Sequence, residues 1–139
     1  MNSYTRFTVG LVLVAISLIL VLACERPPSE SDLKASLGGL AEEYWTKRLM
    51  NKDYKATYRM EAVEGELPFS EYQKRVANAG QITYLSIKAK DVKVENDNGF
   101  VDLIMKCRIA QIPKELNLSF LKDRWVLKSG KWKHVLEKK

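Results

Sequence analysis

The order of hydrophobic periods in this sequence predicts an α+β fold: three N-terminal helices packed against a curved four-stranded antiparallel sheet, cone-like in outline. Three observations carry that expectation. Apolar residues recur at helical spacing from Leu37 to Val76. From Gln81 they alternate with polar residues at a period of two. Two turn signals, Asn96-Asp97-Asn98-Gly99 and Ser129-Gly130, divide the alternating stretch into antiparallel strands.

The first helix is read from Leu37, Leu40, Ala41, Tyr44, Trp45 and Leu49, which form one apolar stripe with Glu42, Glu43 and Lys47 lying off it. Gly38-Gly39 weakens its first turn and points to a late start. Asp53 is placed to cap a short second helix over Tyr54 to Met60. Pro68-Phe69-Ser70 opens a third, with Ser70 and Gln73 at capping-box spacing, Tyr72 and Val76 on one face, and Gly80 as the stop.

In the first strand Leu85, Ile87 and Ala89 alternate, and Val92 and Val94 continue in the opposite phase. A bulge near Lys90-Asp91 accounts for the slip. The second strand runs from Phe100 to Ile112, where Pro113 ends it. In the third, Leu116, Leu118 and Phe120 give way to the shifted phase of Leu121, Trp125 and Leu127. Trp132 to Leu136 is the last strand. Two slips in long strands bend a sheet, and a bent sheet can enclose the apolar face of the first helix.

The chain has 139 residues, enough for one domain. With three Trp, six Tyr and four Phe it does not have a disordered composition. Two cysteines exclude a disulfide framework. Charge divides unevenly: residues 24–78 carry nine basic and ten acidic side chains, and residues 79–139 carry thirteen and seven. The sheet half is therefore the positive half. It reads either as a solvated surface or as a face for anionic headgroups, envelope polymers or an acidic protein.

Before the domain stands a polar segment with one charge, Arg6, and an apolar run from Phe7 to Ala23. This is the layout of a secretory leader. No later apolar run approaches the roughly 18 residues that span a bilayer. The junction Val21-Leu22-Ala23-Cys24 resembles the lipobox of bacterial lipoproteins. That resemblance implies cleavage before Cys24, acyl chains on its sulfur, and a domain held outside the cytoplasm at the cell membrane or outer membrane. Glu25, where Asp would mark inner-membrane retention, leans toward the outer one. An uncleaved signal anchor and a cleaved soluble export are the alternatives. The expected organisation is a signal peptide over 1–23, a lipidated cysteine and flexible tether over 24–35, and the α+β domain over 36–139. Acylation of Cys24 would leave Cys107 without a partner in the chain, and its alternation with Val101, Leu103 and Met105 puts it on an apolar strand face as a buried thiol.

Three stretches resemble the helical half of the nuclear transport factor 2-like superfamily: Ala41-Glu42-Glu43-Tyr44-Trp45, Lys52-Asp53-Tyr54-Lys55-Ala56-Thr57-Tyr58 and Phe69-Ser70-Glu71-Tyr72. The segment Arg124 to Trp132 resembles its last hairpin. The resemblance implies a cone of helices inside a curved sheet, often with a central pocket. That fold hosts ligand binders, isomerases, cyclases and interaction domains, so it selects none of them.

Trp45, Tyr58, Trp125, Trp132 and His134 are the candidate pocket residues, with core filling as the alternative for the aromatics. His134 is the single histidine, and Asp123 sits at a phase slip where it can turn inward. No catalytic constellation, metal-ligand spacing or phosphate loop is present, so no cofactor, metal or catalytic residue is expected. Nucleic acid is not expected as a partner of an exported, lipid-anchored chain. The leading expectation is a non-catalytic binding or interaction module at the envelope membrane. The alternatives are a carrier for a small apolar ligand, or an isomerase- or cyclase-like enzyme with His134 or Asp123 as base.

Overall fold

A computed structural model describes residues 29–77 and 80–137. The leader 1–23, Cys24 and the residues through Pro28 lie outside the described residues. The fold is α+β. Helices α1 (Glu30–Trp45), α2 (Tyr54–Met60) and α3 (Phe69–Val76) pack on a curved antiparallel sheet of β1 (Ile82–Glu95), β2 (Asn98–Ile109), β3 (Glu115–Lys128) and β4 (Lys131–His134), in the order β1-β2-β3-β4. Among the described residues, no helix is long and apolar enough to cross a membrane.

Helix α1 begins inside the segment expected to be a tether. Ser29 accepts from the Asp32 backbone N–H, and the Asp32 carboxylate accepts from the Ser29 backbone N–H. This capping box satisfies the first orphan donors and outweighs the cost of Gly38-Gly39. The predicted stripe is the one that packs: Leu37, Ala41, Tyr44 and Trp45 are buried, and Leu40 and Leu49 are partly so. Gly38 is used for approach, since a Cβ there would stand 3.3 Å from Val92.

Asp53 caps α2 by accepting from the Ala56 N–H at 3.0 Å, as its spacing indicates. The capping box expected at Ser70 and Gln73 is not formed. Pro68 occupies the N-cap, the helix makes no side-chain cap there, and Ser70 is already its second residue. The helix ends at Val76, four residues before Gly80.

The slip at Ala89–Asp91 lies where the alternation breaks, and a second irregularity falls between Tyr84 and Ser86. It removes Leu85 from the concave row formed by Tyr84, Ile87, Ala89, Val92 and Val94. The first turn is tighter than its four-residue signal: Asn96 and Asp97 form the tip, Asn96 has φ 54°, and Asn98 already pairs with Glu95. Ser129 and Gly130, at φ 49° and 74°, form the second turn.

In β3, Val101 faces Asp123 while Leu103 faces Phe120. Two residues, Leu121 and Lys122, therefore stand opposite Asp102 alone. Lys122 takes φ 59°, and its N–H donates to the Asp102 carboxylate at 2.8 Å. Every concave position after this bulge changes phase. Cys107 is fully buried on that concave face.

Candidate functional site

Four local devices bring polar side chains to one end of the core. After Trp45 the helix widens into a π turn over Thr46–Met50, with the Asn51 N–H reaching back to the Thr46 carbonyl at 3.0 Å. Such turns often stand at functional sites. The Arg48 guanidinium lies 4.7 Å from the Trp45 ring centroid and donates to the Tyr44 hydroxyl at 3.1 Å. The β3 bulge turns Asp123 inward. In β4 the alternation that buries Trp132 also buries His134, opposite Trp125. Finally, the chain leaving α2 runs beside β4: Glu61 bridges His134, and the Ala62 N–H donates to the His134 carbonyl at 2.7 Å.

The result is a buried ionic cluster. His134 Nδ1 lies 3.0 Å from Glu61 Oε2, and Nε2 lies 3.0 Å from Asp123 Oδ1. Glu61, Asp123 and His134 are 0%, 2% and 3% exposed. With both carboxyl groups ionised each can only accept, so both ring nitrogens then donate and His134 carries a proton on each. Burial opposes that charge, but the hydrogen bonds and fields of Asp123 and Glu61 outweigh it and hold the imidazole above its ordinary value.

The remaining carboxylate oxygens are also occupied. Asp123 Oδ2 accepts from the indoles of Trp45 at 2.9 Å and Trp125 at 2.7 Å. Glu61 Oε1 accepts from the Tyr44 hydroxyl. Burial pushes that hydroxyl well above the usual tyrosine value, so it remains a donor. The Tyr44 ring stacks on His134 with centroids 4.2 Å apart. Below the cluster, Tyr72 donates to Thr57 at 2.8 Å and ties α3 to α2.

Beside the cluster opens a pocket of about 170 Å³. Trp45, Phe120, Val135 and Leu136 supply apolar wall. Arg48, Arg75 and Arg124 supply positive charge, and Asp123, His134 and Glu137 complete the lining.

Two of the five aromatic and histidine candidates, Trp45 and His134, line this pocket. Trp125 is buried in the core with its indole on Asp123. Trp132 is core as well, and its ring lies 3.2 Å from where a Cβ on Gly99 would stand. Tyr58 is elsewhere: half-buried between Phe69 and Tyr72, it donates to the Leu67 carbonyl at 2.6 Å.

Sequence reasoning missed Glu61, Tyr44 and Arg48 as members of the site. Glu61 carried one faint signal, an acid at a helix end followed by Ala62-Val63. Arg48 carried none, because a regular helix does not foretell a π turn.

Among the described residues, no group of three or more His, Cys, Asp or Glu is placed to hold a metal. The imidazole stands between the two carboxylates, so their lone pairs do not converge on one point. On the sheet half, Lys88, Lys93, Lys106, Arg108 and Lys133 each pair with a glutamate at the surface. These five of its thirteen basic side chains are thus offset locally by negative charge.

No protein-family model matches the chain, and no curated protein matches it. Two solved structures share part of its shape. One is a SEC-C motif containing protein from Rhodopseudomonas palustris, 12% identical, covering 68% of this chain and 70% of that one with a TM-score of 0.48. The other is described as a candidate Ca/calmodulin-dependent kinase II association domain from Exiguobacterium sibiricum. It is 15% identical and covers 79% of this chain and 92% of that one, also at a TM-score of 0.48. Neither likeness is close enough to bear on function.

Proposed function

We propose that this chain is a non-catalytic binding module of the bacterial cell envelope, anchored in the membrane through acyl chains on Cys24, with the pocket beside His134 as its ligand site. One observation carries the binding reading: a pocket of about 170 Å³ opens against a cluster whose acid and base atoms are all engaged inside the fold. An isomerase- or cyclase-like base needs a lone pair within reach of its substrate. His134 has no free nitrogen, and three of the roughly four lone-pair sites of Asp123 are engaged, two by indoles and one by His134. The cluster therefore serves better as a rigid floor than as a proton shuttle. The walls of Trp45, Phe120, Val135 and Leu136 favour a small ligand over a purely protein-docking surface.

The anchoring half rests on the leader and on Cys24. Several acyl chains on one sulfur make release from a bilayer negligible. The test is fractionation of cells expressing the full chain or its Cys24→Ser form, with intact mass of the purified protein. The expected result is an acylated membrane protein beginning at Cys24, and loss of acylation in C24S. An unacylated chain in the cytosol with its leader attached overturns the anchoring. For the pocket, native mass spectrometry of the folded protein should show a small molecule that washes out on unfolding.

A further inference from the structure

We propose that the pocket selects a small molecule built as a flat apolar body bearing one carboxylate. The inference rests on the binding reading above and assigns its ligand class.

Arg48 is the principal reason. Of its five donor hydrogens, one is engaged among the described residues, at the Tyr44 hydroxyl. Its Nε is buried and has no hydrogen-bond partner among the described residues. Among those residues no carboxylate forms an ion pair with it either, whereas Arg75 has Glu71 and Arg108 has Glu115. A guanidinium packed on an indole face and left without a counter-ion is a preformed half of a charge-assisted pair.

The surrounding charge agrees. Three arginines line the pocket against two acids, Asp123 and Glu137, and the Asp123 oxygens are already taken by two indoles and His134. Arg75 is held by Glu71, so Arg48 and Arg124 are the arginines that face the pocket without a carboxylate partner among the described residues. An anion entering here meets an excess of donors in partly desolvated surroundings, where such pairs are stronger than in water.

Size and walls define the rest of the ligand. A cavity of about 150 Å³ takes a benzene ring, so the pocket has room for a ring and one head group. The Trp45 and Phe120 rings, tilted 58° to each other with centroids 5.0 Å apart, supply the aromatic wall against which a ring can lie. A bare phosphate would satisfy the arginines and leave these walls unused.

The test uses the full chain purified in detergent, titrated by calorimetry with benzoate, with its neutral isostere benzamide, and with inorganic phosphate. Loss of one charge-assisted bidentate contact corresponds to about tenfold in affinity. Benzoate should therefore bind about tenfold more tightly than benzamide or phosphate. Arg48→Met should erase that preference, bringing the benzoate affinity down to that of benzamide. Arg48 also packs on Trp45, so Arg75→Gln with Arg124→Gln provides a second variant at the exposed rim, expected to narrow the ratio of benzoate to benzamide affinity. Equal binding of benzamide and benzoate overturns the carboxylate and leaves the pocket standing as a binding site. Phosphate binding as tightly as benzoate overturns the apolar body. Absence of all binding overturns this inference and the pocket reading together, with anchoring at Cys24 unaffected.

Discussion

His134 is wedged between two buried carboxylates, and its charge state is a term in the stability of the fold. The groups facing it are Glu61, Asp123, Tyr44 and, through the Tyr44 hydroxyl, Arg48. Its folded value is raised, so its contribution is fully present below the unfolded histidine value of about 6.5 and is lost as pH rises through the folded value. Urea midpoints should accordingly fall on the alkaline side of neutrality. In His134→Gln that dependence should flatten. The same variant leaves two buried carboxylates without their cation, a loss of about 3–5 kcal/mol, measurable by chemical denaturation. A variant that keeps both wild-type stability and its pH profile would show that the imidazole is not charged. Cys107 belongs to this scale too. Fully buried, it should resist a thiol reagent in the native protein and react at once in urea.

At the scale of elements, irregularities do more than regular stretches to build the site. The π turn after α1 delivers Arg48, and the two-residue bulge of β3 turns Asp123 inward where the straight alternation of Leu116, Leu118 and Phe120 would have turned it out. The first hairpin shows the packing cost of such closeness. Gly99 lies beneath α1 and β4, where an added Cβ would stand 2.3 Å from Leu37 and 3.2 Å from the Trp132 ring. Leu37 is fully buried and Trp132 nearly so. Overpacking of this kind typically costs roughly 1–3 kcal/mol, so Gly99→Ala should lower the thermal midpoint. Gly39→Ala, with open space around its added methyl, should not. Equal midpoints for the two variants would show that the α1–hairpin contact is looser than described.

Across the whole molecule, the sheet and α1 make one core, and the two short helices are attached to it through few residues. The polar ties include Glu61 on His134 and Tyr44, the Ala62 N–H on the His134 carbonyl, and Lys128 and Lys133 donating to the Ala62 and Arg59 carbonyls. Segments held by few buried contacts open at lower free energy than a central strand. Hydrogen exchange should therefore be faster over residues 54–76 than over the middle of β2, and His134→Gln should widen the gap. Uniform protection across both would mean that the helices and sheet open as one unit.

Much of this architecture was legible because it is local. Helix and strand periods, the Asp53 cap, the slip at Lys90-Asp91 and the Ser129-Gly130 turn are written in neighbouring residues. The early start of α1 was legible too, in the Ser29–Asp32 spacing, but the glycine pair and the prolines before it concealed it. The candidate site was legible only in part. Trp45 and His134 lie on it, Trp125 touches the cluster beneath, and Trp132 and Tyr58 serve the packing. By itself, the order of residues determined the class of fold, its strand count and the burial of Cys107, because these follow from periods of two and 3.6. Only the tertiary structure decided that Glu61, Asp123 and His134 meet. They are brought together by a bulge, a strand register and a chain crossing, and no spacing along the sequence encodes the charge that each then imposes on the others.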